Sequence, residues 1–468
     1  GIGPGRAKQL YYTYGIQSPQ QLKTALEQGA LNGAEGFGPN ALRAISEGLD
    51  IKLKSEGKMF WFYAYELAAG AAEYLKASGA RRAEICGAIR LGEENTEKAI
   101  IVFTTDSPEE VIAKFRLYEE ARYWARAGNR WLFRLKNDFP CELVFAPEEK
   151  FPLQTLFETG SPAHLEKLKR IAADAGLRLS PDRFGGTAAP CADETDIYKR
   201  LGLPFIPPEL RAGTDEIELA RSGRLPELVT EADIRGEFHN HTDLSDGVSS
   251  FSEMLEQALR QGLKWIYLGD HSLEVRVTRG LDYAGFAESR AELADAARAY
   301  PGITARRSLE TEVLRDGGFE FDETQMRDID FAIASVHSGF EMPRAQMTER
   351  IKKAVQNQGV NALAHPTGRI IGKRKGFDFD FEAVAQACAE NRVAFEINAQ
   401  PERQDLNAGL VRAAKKHGCK FIISTDAHSA NDLRYITQGV KTARCAGLEK
   451  TDLLNCLDFE ETRNWTRK

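Results

Sequence analysis

Residues 236–247 place His239 and His241 on either side of one asparagine, at the end of an apolar run, with Asp246 in a Ser-Asp-Gly turn just beyond. In a strand, alternation turns both rings to one face. Two imidazoles on one face can hold one divalent cation, and Asp246 adds an oxygen. Alone, a His-x-His pair is as readily a coincidence of a surface strand. The same residue types then recur at the ends of apolar runs. His271 follows 265–268, Glu310 follows 303–305, His337 closes 331–336 and His365 closes 362–364. Glu396 lies inside 393–398, and Asp426 and His428 close 421–425. Of the eight histidines, only His164 and His417 stand elsewhere. A cluster of such ligands can hold divalent cations.

The elements that must position these residues are legible as a pattern. From residue 234 onward, apolar runs alternate with helical stripes, such as Met254, Leu255, Ala258 and Leu259 within 252–261. Similar stretches fall near 284–300, 345–357, 380–390 and 405–417. About seven βα units in roughly 220 residues predict a distorted TIM-like (β/α)7 barrel, whose active site lies where the strands end.

This constellation closely resembles the PHP (polymerase and histidinol phosphatase) family of metal-dependent phosphoesterases. The runs 365–369 (His-Pro-Thr-Gly-Arg), 396–401 (Glu-Ile-Asn-Ala-Gln-Pro) and 426–429 (Asp-Ala-His-Ser) resemble the PHP domain of bacterial family X DNA polymerases. So does 201–211, and the resemblance covers nearly the whole chain. It implies three divalent ions, of zinc, manganese or iron, because mixed nitrogen and oxygen ligation suits all three metals. His239, His241, Glu310 and Asp426 would hold one ion; Asp246, His271 and His428 a second; Glu310, His337 and His365 a third, with Glu310 bridging. Glu312 competes for the bridging role, and the motif 309–314 favours Glu310. Arg369 and Arg403 are candidate catalytic clamps on a phosphate, or equally surface arginines paired with acids. Glu396 fits no obvious ligand slot, and Asp270 is expected to orient His271 from behind.

The first residues resemble a helix-hairpin-helix motif, with Gly1, Gly3, Gly5 and Lys8 placed to meet a DNA phosphate and a second copy at Gly36 and Gly38. A plain αα-hairpin is the bland alternative. Family X polymerases carry a small helical domain before this point, which this sequence does not show. Residues 58–180 resemble the family's palm and the region after it. A polymerase of this class needs three carboxylates around two Mg²⁺ ions. The positions of two of them hold Lys98 and Ile100, and the third falls near Glu142. The serine expected at the triphosphate is Ala88, and no aspartate lies between Ala80 and Thr105. The palm is therefore expected to be catalytically silent.

The expected organisation is a multidomain α/β chain: 1–57 a DNA-binding hairpin region, 58–180 a degenerate palm and thumb-like region, 181–233 an extended linker, and 234–468 the PHP domain. Pro204, Pro207 and Pro208 argue for the extended linker. The length suffices for two to four domains. No apolar run approaches a membrane span, and no basic patch followed by an apolar core marks a signal peptide. Seven scattered cysteines without a Cys-x-x-Cys fit free thiols in a reducing cytoplasm. A net charge of −7 excludes a uniformly basic coat protein but leaves room for a local DNA-binding surface. The expected protein is a monomeric, nucleoid-associated 3′–5′ exonuclease or 3′-end-processing enzyme of DNA repair. The alternatives are a small-molecule phosphatase of the histidinol-phosphate type, an active polymerase with an unusual site, and an inactive DNA-binding scaffold.

Overall fold

The structure is a computed structural model that describes residues 2–185, 190–275 and 278–466. Gly1 lies outside the described residues. Three helices open the chain: Pro4–Tyr14, Pro19–Glu27 and Pro39–Ser55. They close on Leu10, Leu22, Leu31, Phe37, Ile45 and Leu49. The first and third start alike, with glycine N-caps (Gly3 and Gly38), proline in the first turn and no side chain on the free amides. Gly36 turns the chain into the third helix at φ +80°, a conformation glycine adopts without strain.

A five-stranded sheet follows, in the spatial order Arg82–Cys86, Ala99–Thr104, Phe139–Phe145, Arg130–Leu135, Ala121–Ala127. The helix Trp61–Ala77 covers one face through Ala64, Ala68, Ala71 and Leu75. Next comes a compact helical unit built from Phe151–Thr159, Pro162–Asp174, Glu194–Arg200 and Glu216–Arg221. It corrects the expected extended linker. Residues 203–207, among the prolines, form neither helix nor strand, but Ile197, Tyr198, Leu203, Ile206 and Ile217 share a core with Leu156 and Leu168. Proline fixed the local path and hid the apolar positions on either side.

The C-terminal half is a seven-stranded parallel sheet that follows chain order without a crossover, from Gly236–Glu237 through Trp265–Leu268, Thr304–Glu312, Phe331–Ser335, Val360–Leu363 and Ala394–Asn398 to Phe421–Ser424. The bridge between Asn240 and Ala427 links the last strand back to the first, so the barrel is nearly closed. Helices Phe251–Arg260, Tyr283–Ala297, Arg344–Val355, Phe381–Glu390 and Ala408–Lys416 pack outside it. Four of the five start on a side-chain cap: Ser250 and Glu253 form a capping box, and Asp282, Asp380 and Asn407 cap Tyr283–Ala297, Phe381–Glu390 and Ala408–Lys416. Alternation sorts the strand residues. Ile266 and Leu268 face the helices, while Trp265 and Tyr267 fill the interior with Phe238, Phe331 and Ile422. The barrel is thus plugged, and ligands can collect only at its ends.

The two halves share a continuous seam. Tyr435 and Ala399 of the barrel half join the apolar core beneath the five-stranded sheet. Lys441 Nζ donates to the Arg90 carbonyl at 2.7 Å and pairs with Glu209 at 3.0 Å, which Arg444 also holds at 2.8 Å.

Candidate metal centre

The residues at the strand ends lie close together. His239, His337, His365 and Asp426 each lie two residues past the last residue of a strand, and His271 three past. Glu310 lies inside its strand, third from the end, where it points up into the same space. His239 Nε2 is 3.1 Å from Glu310 Oε2 and 3.2 Å from His241 Nε2. His241 Nε2 is 3.4 Å from the same Glu310 oxygen and 3.2 Å from Asp426 Oδ1. These separations match the edges of a coordination polyhedron with metal–ligand bonds of about 2.1 Å. Asp246 Oδ2 lies 3.5 Å from both His271 Nε2 and His428 Nε2. Glu310 Oε1 lies 3.3 Å from His337 Nε2 and 2.8 Å from His365 Nε2. His271 also reaches Glu310 Oε2 through Nδ1, at 3.0 Å, so it faces two of the three groups.

The donor set fits divalent cations better than it fits itself. His241 Nδ1 and His365 Nδ1 are buried without a hydrogen-bond partner, and the close approach of His271 Nδ1 to Glu310 Oε2 is not aligned as a hydrogen bond. Each such atom costs about 1–3 kcal/mol when nothing satisfies it. Two imidazole nitrogens 3.2 Å apart, His239 Nε2 and His241 Nε2, can share at most one proton. The carboxylates and imidazoles shift one another strongly. Burial alone would lower His271 and His428, but Glu310, Asp246 and Asp426 outweigh it and push them up to about 10 and about 9. Burial alone would raise Glu310 and Asp426, yet the imidazoles hold both well below the usual carboxylate range. His241 and His365 go the other way: burial with the neighbouring His271 lowers His241 to about 4, and burial with Arg403 lowers His365, which keeps both rings neutral.

The supporting residues resolve three open readings. Glu396 is a partner of His239, its Oε1 2.7 Å from Nδ1, and it accepts from the His365 amide. Glu312 takes the His337 Nδ1 side at 3.0 Å and is backed by the buried Arg350, whereas Glu310 meets imidazoles with both of its carboxylate oxygens. Asp270 corrects the expectation for it. It accepts from Thr242 N and Oγ1, Ser245 Oγ and Arg307 Nη2, fixing the loop before Asp246 rather than orienting His271. The Ser-Asp-Gly turn needs its glycine, because a Cβ at Gly247 would lie 2.4 Å from the His241 carbonyl oxygen. His365 and Asp426 sit at φ +26° and +49°, backbone strain of the kind that gathers at functional sites. Neither the Glu396 nor the Glu312 role had a signal in the sequence, since each pairs with a histidine on another strand.

The two candidate arginines part company. Arg403 Nε is 3.2 Å from Asp426 Oδ2, with Nη1 buried and unpartnered. Arg369 is engaged by Glu94 of the preceding half and by the Gln404 carbonyl. His164, off the site as expected, is buried between Glu216 and Tyr198.

The polymerase-type position is also brought together. Ile100 and Glu142 are direct neighbours in parallel register, and Lys98 Nζ lies 2.6 Å from Glu142 Oε1. Arg130 takes the other carboxylate oxygen at 2.9 Å. In the hairpin region, Arg6 Nε donates to the Gly36 carbonyl at 3.0 Å, joining the two glycine turns, and Lys8 is exposed. Gly5 lies in the first turn of its helix, beside the Gly3 cap.

A plugged parallel barrel with this cluster, fused to a sheet and helical unit of polymerase type, has the PHP barrel and family X architecture that the sequence resembles. A model of the DNA polymerase beta thumb matches residues 155–212, the compact helical unit. The chain is 27% identical, over all of its length and 83% of the relative's, to the DNA polymerase/3′–5′ exonuclease PolX of Bacillus subtilis. Its C-terminal half is similar to a probable phosphatase of Thermoanaerobacter sp., 25% identical over 46% of this chain and 88% of the relative. A probable phosphatase of Vibrio atlanticus is 27% identical over 43% and 81%. No helix among the described residues is long and apolar enough to cross a membrane.

Proposed function

We propose that this chain is a metal-dependent phosphoesterase acting on DNA 3′ ends, as a 3′–5′ exonuclease or end-cleaning enzyme of DNA repair, with a silent polymerase core. The observation that carries it is the cluster around Glu310, in which the buried His241 Nδ1 and His365 Nδ1 lack partners. His239, His241, Glu310 and Asp426 would hold one ion, Asp246, His271 and His428 a second, and Glu310, His337 and His365 a third. Bound there, the ions would supply an activated water and neutralise phosphate oxygens. The chain's own residues do the rest. Glu396 and Glu312 fix the rings of His239 and His337, and Arg403 offers its free Nη1 to a phosphate oxygen beside Asp426. The amides that follow Gly3 and Gly38 grip backbone phosphates without reading bases, which sets polymer preference rather than sequence. The similarity to a DNA polymerase/3′–5′ exonuclease supports DNA as substrate; a monomer working at the nucleoid is part of the same proposal.

Silence of the polymerase core rests on Lys98 and Ile100. A lysine and an isoleucine cannot bind Mg²⁺, and Lys98 with Arg130 already neutralises Glu142. Primer extension with Mg²⁺ or Mn²⁺ is expected to be undetectable. Extension at a polymerase-like rate, abolished by changes at Glu142 and not by changes in the barrel, would overturn this.

The main test joins metal analysis of the purified protein to cleavage assays on DNA with 3′-phosphate and 3′-hydroxyl ends. His241→Ala is expected to abolish cleavage while DNA binding survives and weakens with salt. A second reading, a small-molecule phosphatase, is favoured by the relatives that match only the barrel half. It takes over if the chain hydrolyses small phosphomonoesters readily and leaves DNA ends intact.

A further inference from the structure

The seam between the halves reaches the metal centre through one residue of the polymerase-like half. Glu94 sends its carboxylate to both terminal nitrogens of Arg369, at 2.7 and 3.3 Å. Its carbonyl accepts from Gln404 Nε2 at 2.8 Å and from the Trp61 amide at 3.1 Å. Gln404 is 2% exposed, sits at φ +45° and takes Gln438 Nε2 on its own side-chain oxygen. Its carbonyl is held by Arg369. The next residue, Asp405, accepts from Thr367 N and Oγ1, both at 2.9 Å, tying this segment to the loop that follows His365. The preceding residue, Arg403, is the one that rests on Asp426 with Nη1 free. A non-glycine residue at positive φ persists only when its surroundings over-determine it. Here part of those surroundings belongs to the other half of the chain.

We propose that Glu94 is a positioning residue of the phosphoesterase: by holding Arg369 and Gln404 it keeps Arg403 on Asp426, with the buried Nη1 left unpaired for a substrate phosphate that enters beside it. The inference rests on the hydrolase reading above. It gives the polymerase-like half a second task besides gripping DNA. That task is visible with substrates too small to be gripped.

The test uses the full chain loaded with metal and bis(p-nitrophenyl) phosphate, a diester that cannot span to the hairpin region. Glu94→Ala is expected to lower kcat about tenfold while KM moves less than about threefold, since a phosphate contact tightened in the transition state is loosened. Glu66→Ala breaks the ion pair with Arg434, elsewhere in the seam, and is expected to leave kcat unchanged. The exchange Glu94→Arg with Arg369→Glu is expected to restore part of the loss. An independent readout is amide hydrogen exchange over residues 399–406, which should quicken in Glu94→Ala and not in Glu66→Ala. Activity of Glu94→Ala within twofold of the parent, or an equal loss in Glu66→Ala, overturns the role of Glu94 alone. A parent protein that fails to hydrolyse the diester overturns the phosphoesterase reading as well.

Discussion

Two places in this molecule correspond to metal centres of the family it resembles, and they differ in where their positive charge comes from. At the barrel mouth, Glu310, Asp426 and Asp246 face imidazoles, and the fixed cation among them is Arg403 on one oxygen of Asp426. In the five-stranded sheet, the carboxylate of Glu142 is met on one oxygen by Lys98 and on the other by Arg130. The first arrangement leaves negative charge and lone pairs for something absent from the sequence. The second has completed itself from within the chain. Ligand types alone do not make a metal site; ligands that the protein leaves uncompensated do.

The largest effect should come from breaking the barrel site at its centre. Glu310 faces all of His239, His241, His271, His337 and His365, so Glu310→Gln should remove most bound metal and lower hydrolysis by about a thousandfold or more. Metal content by mass spectrometry and the chromogenic diester assay read it. The same change at Glu142 should alter neither. Next in size is Glu396→Ala, which leaves the ligands in place but frees the His239 ring. Loss of such a partner typically costs about 10–100-fold in metal affinity or activity. Equal metal content and rate in that variant would reduce Glu396 to a packing role.

Much of this contrast was legible before the fold. Strand ends are marked by where apolar runs stop, and His337 or His365 needs no more than that to be nominated. The expectation of a silent palm came from the sequence alone, because Lys98 and Ile100 are visible as residue types. What could not be read was everything fixed by pairing between distant strands. Glu396 and His239 are 157 residues apart, and only the parallel register brings them together. The helical unit at 190–221 was hidden because its apolar residues are few per turn and interrupted by Pro204, Pro207 and Pro208. The engagement of Arg369 by Glu94 depends on how two halves dock, for which no local pattern exists.

The seam itself should show in acid. Burial alone would raise Glu209, but Lys441 and Arg444 outweigh it and hold it at about 2, against 4.5 for the free side chain. A carboxylate depressed in the folded state binds more protons when unfolded. Its stabilisation is therefore complete above the unfolded value and fades as pH falls from about 4.5 toward about 2. Chemical denaturation should show a loss on the order of 1–3 kcal/mol across that window, and Glu209→Gln should flatten it. A Glu209→Gln profile that falls as steeply as the parent's would show that other carboxylates set the acid limit.

The smallest effect is the sharpest test of the comparison between the two centres. If the sheet position was silenced by its side chains and not by its backbone, then Lys98→Asp with Ile100→Asp should rebuild a cation site beside Glu142. The register already sets residue 100 against residue 142, and Lys98 already reaches Glu142. Without metal, three carboxylates in one patch repel, with Arg130 alone to offset them, so the variant should melt below the parent. Mg²⁺ binds only the folded arrangement, so it should raise the variant's melting temperature by about 2–4 °C at concentrations well above its Kd. The parent's melting temperature should not respond through this site, because Lys98 occupies it. A His241→Ala background removes the barrel's own response from the measurement. If Mg²⁺ leaves the doubly substituted protein unmoved, the sheet has lost more than its ligands, and the two centres differ in geometry as well as in charge.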